Sequence, residues 1–312
     1  RILGLAVAAP LCALVLLAAV PPRTGTAGVA VARARGANPL RGLKLWVDPK
    51  SQAYRRYLRL KRTRPAEARL ILKIGAMPQA TWYGDWTPSI RSAVAEQVRA
   101  AGAKDAAALM VAYNIPHRDC GSHSGGGVGS AVRYRNWIRR MVKGIGRGRA
   151  VVVLEPDALG LLDQCLSPAQ QRERLQLLRF AVAAFKTNPD TIVYVDAGHP
   201  RWHPAARMAR RLRAAGIRHA DGFALNVSNY VGTAECVRYG ARLSRLVGGK
   251  HFIVDTSRNG NGPAPGNAWC NPAGRALGRR PTTRTGHPAA DAFLWIKRPG
   301  ESDGNCNGGP QA

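Results

Sequence analysis

From about residue 37 the chain alternates between two hydrophobic rhythms. Short apolar runs rich in β-branched residues are separated by longer stretches in which apolar positions recur every three or four residues. The first kind reads as strand and the second as amphipathic helix. Strands are predicted at 77–84, 108–115, 150–156, 191–197, 222–227, 252–257 and 292–297, and helices between most of them at 88–102, 131–144, 168–187, 204–215 and 233–248. The helix at 168 has Ser167 as its cap and Pro168 in its first position, a good start signal. Runs such as "AVVVL" are apolar without alternation, as a strand covered on both faces requires. Strand–helix alternation of this kind predicts an α/β fold with a parallel sheet. Seven strands without a dinucleotide fingerprint favour a closed or nearly closed barrel over an open doubly wound sheet, in a single domain over residues 37–312.

Polar residues gather where these strands end. Trp82 ends the first, "PHRDCGSHSGGG" follows the second, and Glu155 with Asp157 follows the third. Asp196 and His199 come after the fourth, Asn226 to Asn229 after the fifth, and "DTSRNGNG" at the sixth. The seventh leads to Lys297, Glu301 and Asp303. Barrel enzymes carry their chemistry on that edge. A single Asp after a strand more often closes a turn than does chemistry. Asp119, Glu155, Asp157, Asp196, Glu301 and Asp303 together are another matter, because crowded like charges raise one another's pKa values. Two carboxyl groups working as acid and base are the signature of glycoside hydrolysis. Trp82, Trp202 and Trp269 fall in loops or strand ends, where an indole face can stack on a sugar ring, whereas Trp46 and Trp137 lie in apolar, core-like contexts.

Composition adjusts this picture in three places. The 312-residue chain has a formal net charge of +29, but its arginines are scattered as in "RRYLRLKRTR", without the clustered footprint of a nucleic-acid binder. They read as solvated helix faces. The N-terminal run from Arg1 to Val20, followed by prolines and small residues, has the anatomy of a secretory signal, with cleavage near Ala27 or Ala34. Residues 1–34 are therefore assigned to a signal peptide and short linker, and the folded part to the outside of the cell, with no stable membrane insertion after cleavage. Setting Cys12 aside leaves five cysteines, no CxxC pair and one thiol over. The seven histidines show no HExxH spacing, and neither a phosphate-loop motif nor a GxSxG elbow occurs, so no metal and no cofactor are expected. The Gly- and Ser-rich loop after Asp119 suits a mobile lid over a cleft.

The ordered set "WVDPKSQA", "ATWYGDW", "AYNIPHRDCG", "LEPDALG", "YVDAGHPRWHP", "NVSNY", "DTSRNGNGP", "NAWCNPAGRALG" and "WIKRPGESDG" resembles the family 6 glycoside hydrolases, inverting cellulases. The resemblance runs from about residue 40 to the end and implies the family's fold, a distorted seven-stranded parallel β/α barrel. It implies Asp157 as general acid, Asp119 as the acid that tunes it, and Asp303 as the base. It places Trp82, Tyr113, Asp196, His199, Trp202, Asn229, Trp269, Lys297 and Glu301 along the sugar subsites, and pairs Cys120 with Cys165 and Cys270 with Cys306, leaving Cys236 free. In an inverting enzyme acid and base stand about 6.5–9.5 Å apart. The loops near Asp119 and between Trp269 and Trp295 are short, which favours an open cleft and internal cleavage of a β-1,4-glucan or cello-oligosaccharide by a secreted monomer. The alternatives are a cellobiohydrolase acting from chain ends and a non-catalytic glycan binder on the same scaffold. Two departures stand out. The family continues beyond "CNGGPQA", so the chain reads as truncated, and Arg298 occupies a position that is usually apolar or Pro.

Overall fold

The apolar runs become strands because each side of them is covered by a different set of side chains. The structure, a computed structural model, describes residues 37–310 and, near the N-terminus, residues 1, 2 and 4 alone. The segment read as a signal peptide lies outside the described residues. Seven strands form one sheet: β1 Thr81–Tyr83, β2 Ala108–Ala112, β3 Ala150–Leu154, β4 Thr191–Asp196, β5 Gly222–Leu225, β6 His251–Asp255 and β7 Ala290–Leu294. They pair in sequence order, and every pair is parallel. The two edge strands come together through a bridge between Gln79 and Trp295 and a hydrogen bond from the Ala80 amide to the Trp295 carbonyl at 3.1 Å. The predicted α/β class and distorted seven-stranded parallel barrel are what the structure has.

Period-two alternation divides the core. Val151 and Val153 of β3 pack inward with Leu109, Val111, Ile192, Tyr194, Ile253 and Leu294, whereas Val152 and Leu154 pack outward against the helices. All four β3 residues are fully buried, each contributing about 1.5–3 kcal/mol relative to exposure. The outer layer is α3 (Ile90–Gly102), α4 (Ala131–Ile145), α5 (Pro168–Phe185), α6 (Ala205–Ala214) and α7 (Thr233–Leu246), preceded by α1 (Gln52–Leu60) and α2 (Pro65–Gly75). The Ser167 cap is real and reciprocal: its side chain accepts from the Gln170 amide while Gln170 accepts from the Ser167 amide. The pair α1 and α2 was not among the predicted helices, although Ser51 caps α1 and Pro65 opens α2.

The strands are shorter than predicted at their C-terminal ends. After β3 and β5 the cause is local: Glu155, Asp157, Asn226 and Ser228 have positive φ of 48°, 67°, 66° and 57°, a conformation that no strand continues through. Trp82 lies in the middle of a three-residue β1 rather than at the end of a longer strand. The two predicted core tryptophans differ slightly. Trp137 is buried, and Trp46 packs half-buried against the same cluster.

Gly222 opens β5 where backbone and side chain both press close. A Cβ there would meet the His251 carbonyl oxygen at 2.2 Å and the Tyr194 ring at 2.9 Å. Gly222→Ala is expected to cost about 1–3 kcal/mol, the range for overpacking, read as a lower urea midpoint. An unchanged midpoint would show that β5 can shift freely.

Candidate active site

Since all seven strands are parallel, their C-terminal ends share one rim, and the left-handed turns there aim polar side chains away from the core. Beyond β3 the chain turns at Glu155 and again at Asp157. Glu155 is inside: its carboxylate accepts from the Asn114 and Ile115 amides (2.9 and 3.1 Å) and from the Tyr134 hydroxyl (2.9 Å). Burial pushes its pKa up to about 7 against the pull of those donors. Glu155 thus pins the β2 loop to the β3 turn from below. Asp157, two residues on, keeps part of its surface open, and its carboxyl has no hydrogen-bond or ion-pair partner among the described residues. Its backbone amide donates to Asp196 Oδ2 at 3.0 Å. Burial, then the negative charges of Asp196 and Asp119, push its carboxyl well above the usual carboxylate range.

Asp196 ends β4 and is buried; the same Oδ2 also accepts from the Gly198 amide at 3.0 Å, while Oδ1 is unpartnered. Burial raises its pKa to about 7, opposed by those two amides. Asp119 follows β2 in a left-handed conformation, and its Oδ2 takes the Ser124 amide at 2.9 Å. Burial raises it too. Asp119, Asp157 and Asp196 therefore form one acidic cluster in which, among the described residues, no cation is ion-paired to any of the carboxylates.

A second cluster lies beyond β6 and β7, and it is compensated. Asp303 receives a bidentate ion pair from Arg258, with contacts of 2.8 Å to each carboxylate oxygen, and the Asn271 amide at 3.1 Å. Tyr230 Oη donates to it at 3.4 Å. Lys297 Nζ is 3.4 Å from Glu301 and 3.8 Å from Asp303. Asp255, at the end of β6, joins the clusters. Its buried carboxylate accepts amides from Ser228, Ser257, Ile296 and Lys297 at 2.9–3.2 Å, so it fixes the β5, β6 and β7 turns together. Its charge also reaches Asp196.

Aromatic rings line the same rim. Trp82 packs edge-on to Tyr113 at 5.3 Å and donates from Nε1 to the Ile296 carbonyl at 2.8 Å, so β1, β2 and β7 meet there. Trp202 lies over Gly160 and Gly198, where added Cβ atoms would come within 2.7 and 3.0 Å of its ring, and 5.4 Å from the His199 ring. His199 is buried, its pKa lowered to about 4 by desolvation, with Nδ1 unpartnered. Trp269 is 45% exposed and meets His123 of the Asp119 loop at 5.8 Å. Asn229 is turned inward, its amide donating to the Val227 carbonyl at 2.9 Å. The Gly-rich loop expected to form a lid is tied down. Cys120 is bonded to Cys165, Arg118 donates to the Ser124 and Gly125 carbonyls, and Asp85 accepts from the Gly127 amide at 3.0 Å. Cys270 is bonded to Cys306, and Cys236 is a buried free thiol.

The family model for glycosyl hydrolases family 6 matches residues 40–311. The chain belongs to that family. Endoglucanase A of Cellulomonas fimi is 45% identical over 269 residues, covering 86% of this chain and 58% of the relative. Endoglucanase 1 of Streptomyces halstedii is 49% identical over 243 residues, covering 76% of this chain and 74% of the relative. The chain thus spans less than two thirds of the Cellulomonas protein's length. Among solved structures, the endoglucanase Cel6 from Mycobacterium tuberculosis, in complex with methyl-cellobiosyl-4-deoxy-4-thio-β-D-cellobioside, superposes with a TM-score of 0.82 at 47% identity, covering 88% of this chain and 94% of that one.

In this family 6 chain the rim brings together Asp119, Asp157 and Asp196 on one side and Asp303, Lys297 and Glu301 on the other. Sequence reasoning passed over Arg258, Asp255 and Arg118. Arg258 was visible only as a letter within "DTSRNGNG", and nothing in its spacing shows that it grips Asp303. Arg118, between the Trp86 and Tyr113 rings at 5.0 and 4.8 Å and ion-paired to Asp85 at 3.0 Å, orders the approach to Asp119.

A carboxyl with a folded pKa above its unfolded one holds its proton more tightly when folded. Glu155 therefore contributes stability that is fully present below about 4.5 and fades as pH rises through about 7, a span of about 3 kcal/mol. Glu155→Gln is expected to flatten part of the fall in unfolding free energy over that window, measured by urea titration at a series of pH values. An identical slope in both proteins would count against a protonated Glu155.

Proposed function

We propose that this chain is a secreted endo-β-1,4-glucanase that hydrolyses internal glucosidic bonds with inversion at the anomeric carbon. The observation that carries this reading is the state of Asp157. Its carboxyl is pushed well above the ordinary range by burial, Asp196 and Asp119, and is committed to no partner. Such a group stays protonated where most carboxyls are ionised and is free to hand its proton to a leaving oxygen. Asp119 and Asp196 act on it through charge, and Asp196 also holds its backbone amide.

In the proposed step Asp157 protonates the glycosidic oxygen as the bond to the anomeric carbon breaks. A water molecule attacks that carbon from the opposite face, and its proton passes to Asp303. Arg258, Tyr230 and the Asn271 amide orient Asp303, and Lys297 lies beside it. Trp82, Tyr113, His199, Trp202, Asn229, Trp269, Lys297 and Glu301 are assigned to the glucan chain: the rings to stacking, the polar groups to hydroxyls. Endo action is supported by the short loops after Asp119 and between Trp269 and Trp295, and by relatives that are named endoglucanases. Secretion is supported by the signal-like N-terminus and the two disulfides.

Fresh products of cello-oligosaccharide hydrolysis, followed by NMR, should carry the α-anomer first. Asp157→Ala should lower kcat by about 10²–10⁴-fold, the range for a lost general acid. An initial β-anomer, or full activity in the variant, excludes the mechanism. Asp119→Asn removes a negative charge that raises the Asp157 pKa, so the alkaline limb of kcat against pH should move to lower pH. A limb that stays put would mean that Asp119 does not tune the acid.

A further inference from the structure

Two features of the sequence remain outside the catalytic reading, and the fold brings them together. One is the arginine-rich run of α1, which reads in the sequence as a solvated face. The other is Arg298, which follows β7 beside Lys297. Arg55, Arg56 and Arg59 of α1 and Arg298 after β7 line one cavity of about 390 Å3, with Ile71 and Pro299 as apolar wall. That volume falls in the range of small-ligand pockets. Among the described residues Glu301 is the sole acidic group in the lining, so four positive charges face one negative.

Two of the four charges have no ion-pair partner among the described residues. Among the described residues Arg55 and Arg59 make no ion pair, and Arg56 has a long one to Glu67 at 3.6 Å. Arg55 and Arg59 stand at i and i+4 on α1, where like charges repel. A concave wall concentrates that potential. Arg298 is held in place by Glu301 Oε1 at 3.2 Å, while Glu301 Oε2 faces Lys297 at 3.4 Å. Glu301 is therefore shared between the catalytic rim and this cavity.

We propose that the cavity is a binding site for an acidic sugar, a carboxylate carried on a pyranose ring, beside the glucan-binding rim. Guanidinium forks match a carboxylate's two oxygens, the wall of Ile71 and Pro299 suits the ring's apolar face, and the shared Glu301 places the site next to the cleft. The choice of a sugar as carrier rests on the glucanase reading; the anion recognition does not.

The test is calorimetric titration of the whole chain with D-glucuronate, D-glucose and inorganic phosphate at low ionic strength. Glucuronate should bind at least tenfold more tightly than either, and more weakly as salt is added. Arg55→Gln/Arg59→Gln, on the exposed face of α1, and separately Arg298→Gln, should each weaken glucuronate binding at least tenfold. Equal binding of glucuronate and glucose, or unchanged affinity in both variants, would overturn the proposal. Phosphate binding as tight as glucuronate would overturn it too, leaving a site for any small anion. Hydrolysis of neutral glucan by the native chain and by Arg55→Gln/Arg59→Gln reports on the catalytic reading alone, so the two can fail separately.

Discussion

The parallel ladder between β3 and β4 sets Leu154 beside Val195, and everything at the rim follows from that register. Because Leu154 and Val195 are neighbours, the turns beyond them bring the Asp157 amide within 3.0 Å of Asp196. A slip of one residue would turn every β3 side chain to the opposite face. Val151 and Val153 would then face the helices and Val152 the barrel interior, while the amide of Asp157 would lose its acceptor. The packing of two dissimilar apolar layers on the sheet therefore fixes the chemistry as firmly as it fixes the fold.

Electrostatics divides the rim into two unlike halves. On the Asp157 side three carboxyl groups lie together with no cation ion-paired to them among the described residues; burial raises all three, and the charges of Asp196 and Asp119 raise Asp157 further. On the Asp303 side Arg258 and Lys297 answer the negative charge of Asp303 and Glu301. An acid and a base drawn from the same residue type need environments that differ in this way. Asp255 holds the turns after β5, β6 and β7 together through four backbone amides, a structural role played by a carboxylate.

Much of this was legible in the sequence because it is periodic or local. The apolar runs predicted all seven strands, and the clustering of acids beyond them pointed to the rim. What stayed hidden depends on contacts between distant segments. Arg258 and Asp303 are 45 residues apart. Glu155 looked like one more acid at a strand end, and only its three donors reveal a buried pin. The ends of β3 and β5 were overread because the left-handed φ at Glu155 and Asn226 leaves no trace in hydropathy. The α1 arginines read as a solvated face, since a single helix cannot show that Arg298 lies across a cavity from it.

The central claim is that the rim itself keeps Asp157 protonated. Carboxyl-carbon NMR titration of Asp157 tests it directly, in the native chain and in Asp196→Asn. The account predicts a midpoint well above the ordinary 3.8 in the native chain and a lower one in the variant. A native midpoint near 3.8, or no change on removing the charge of Asp196, would contradict it.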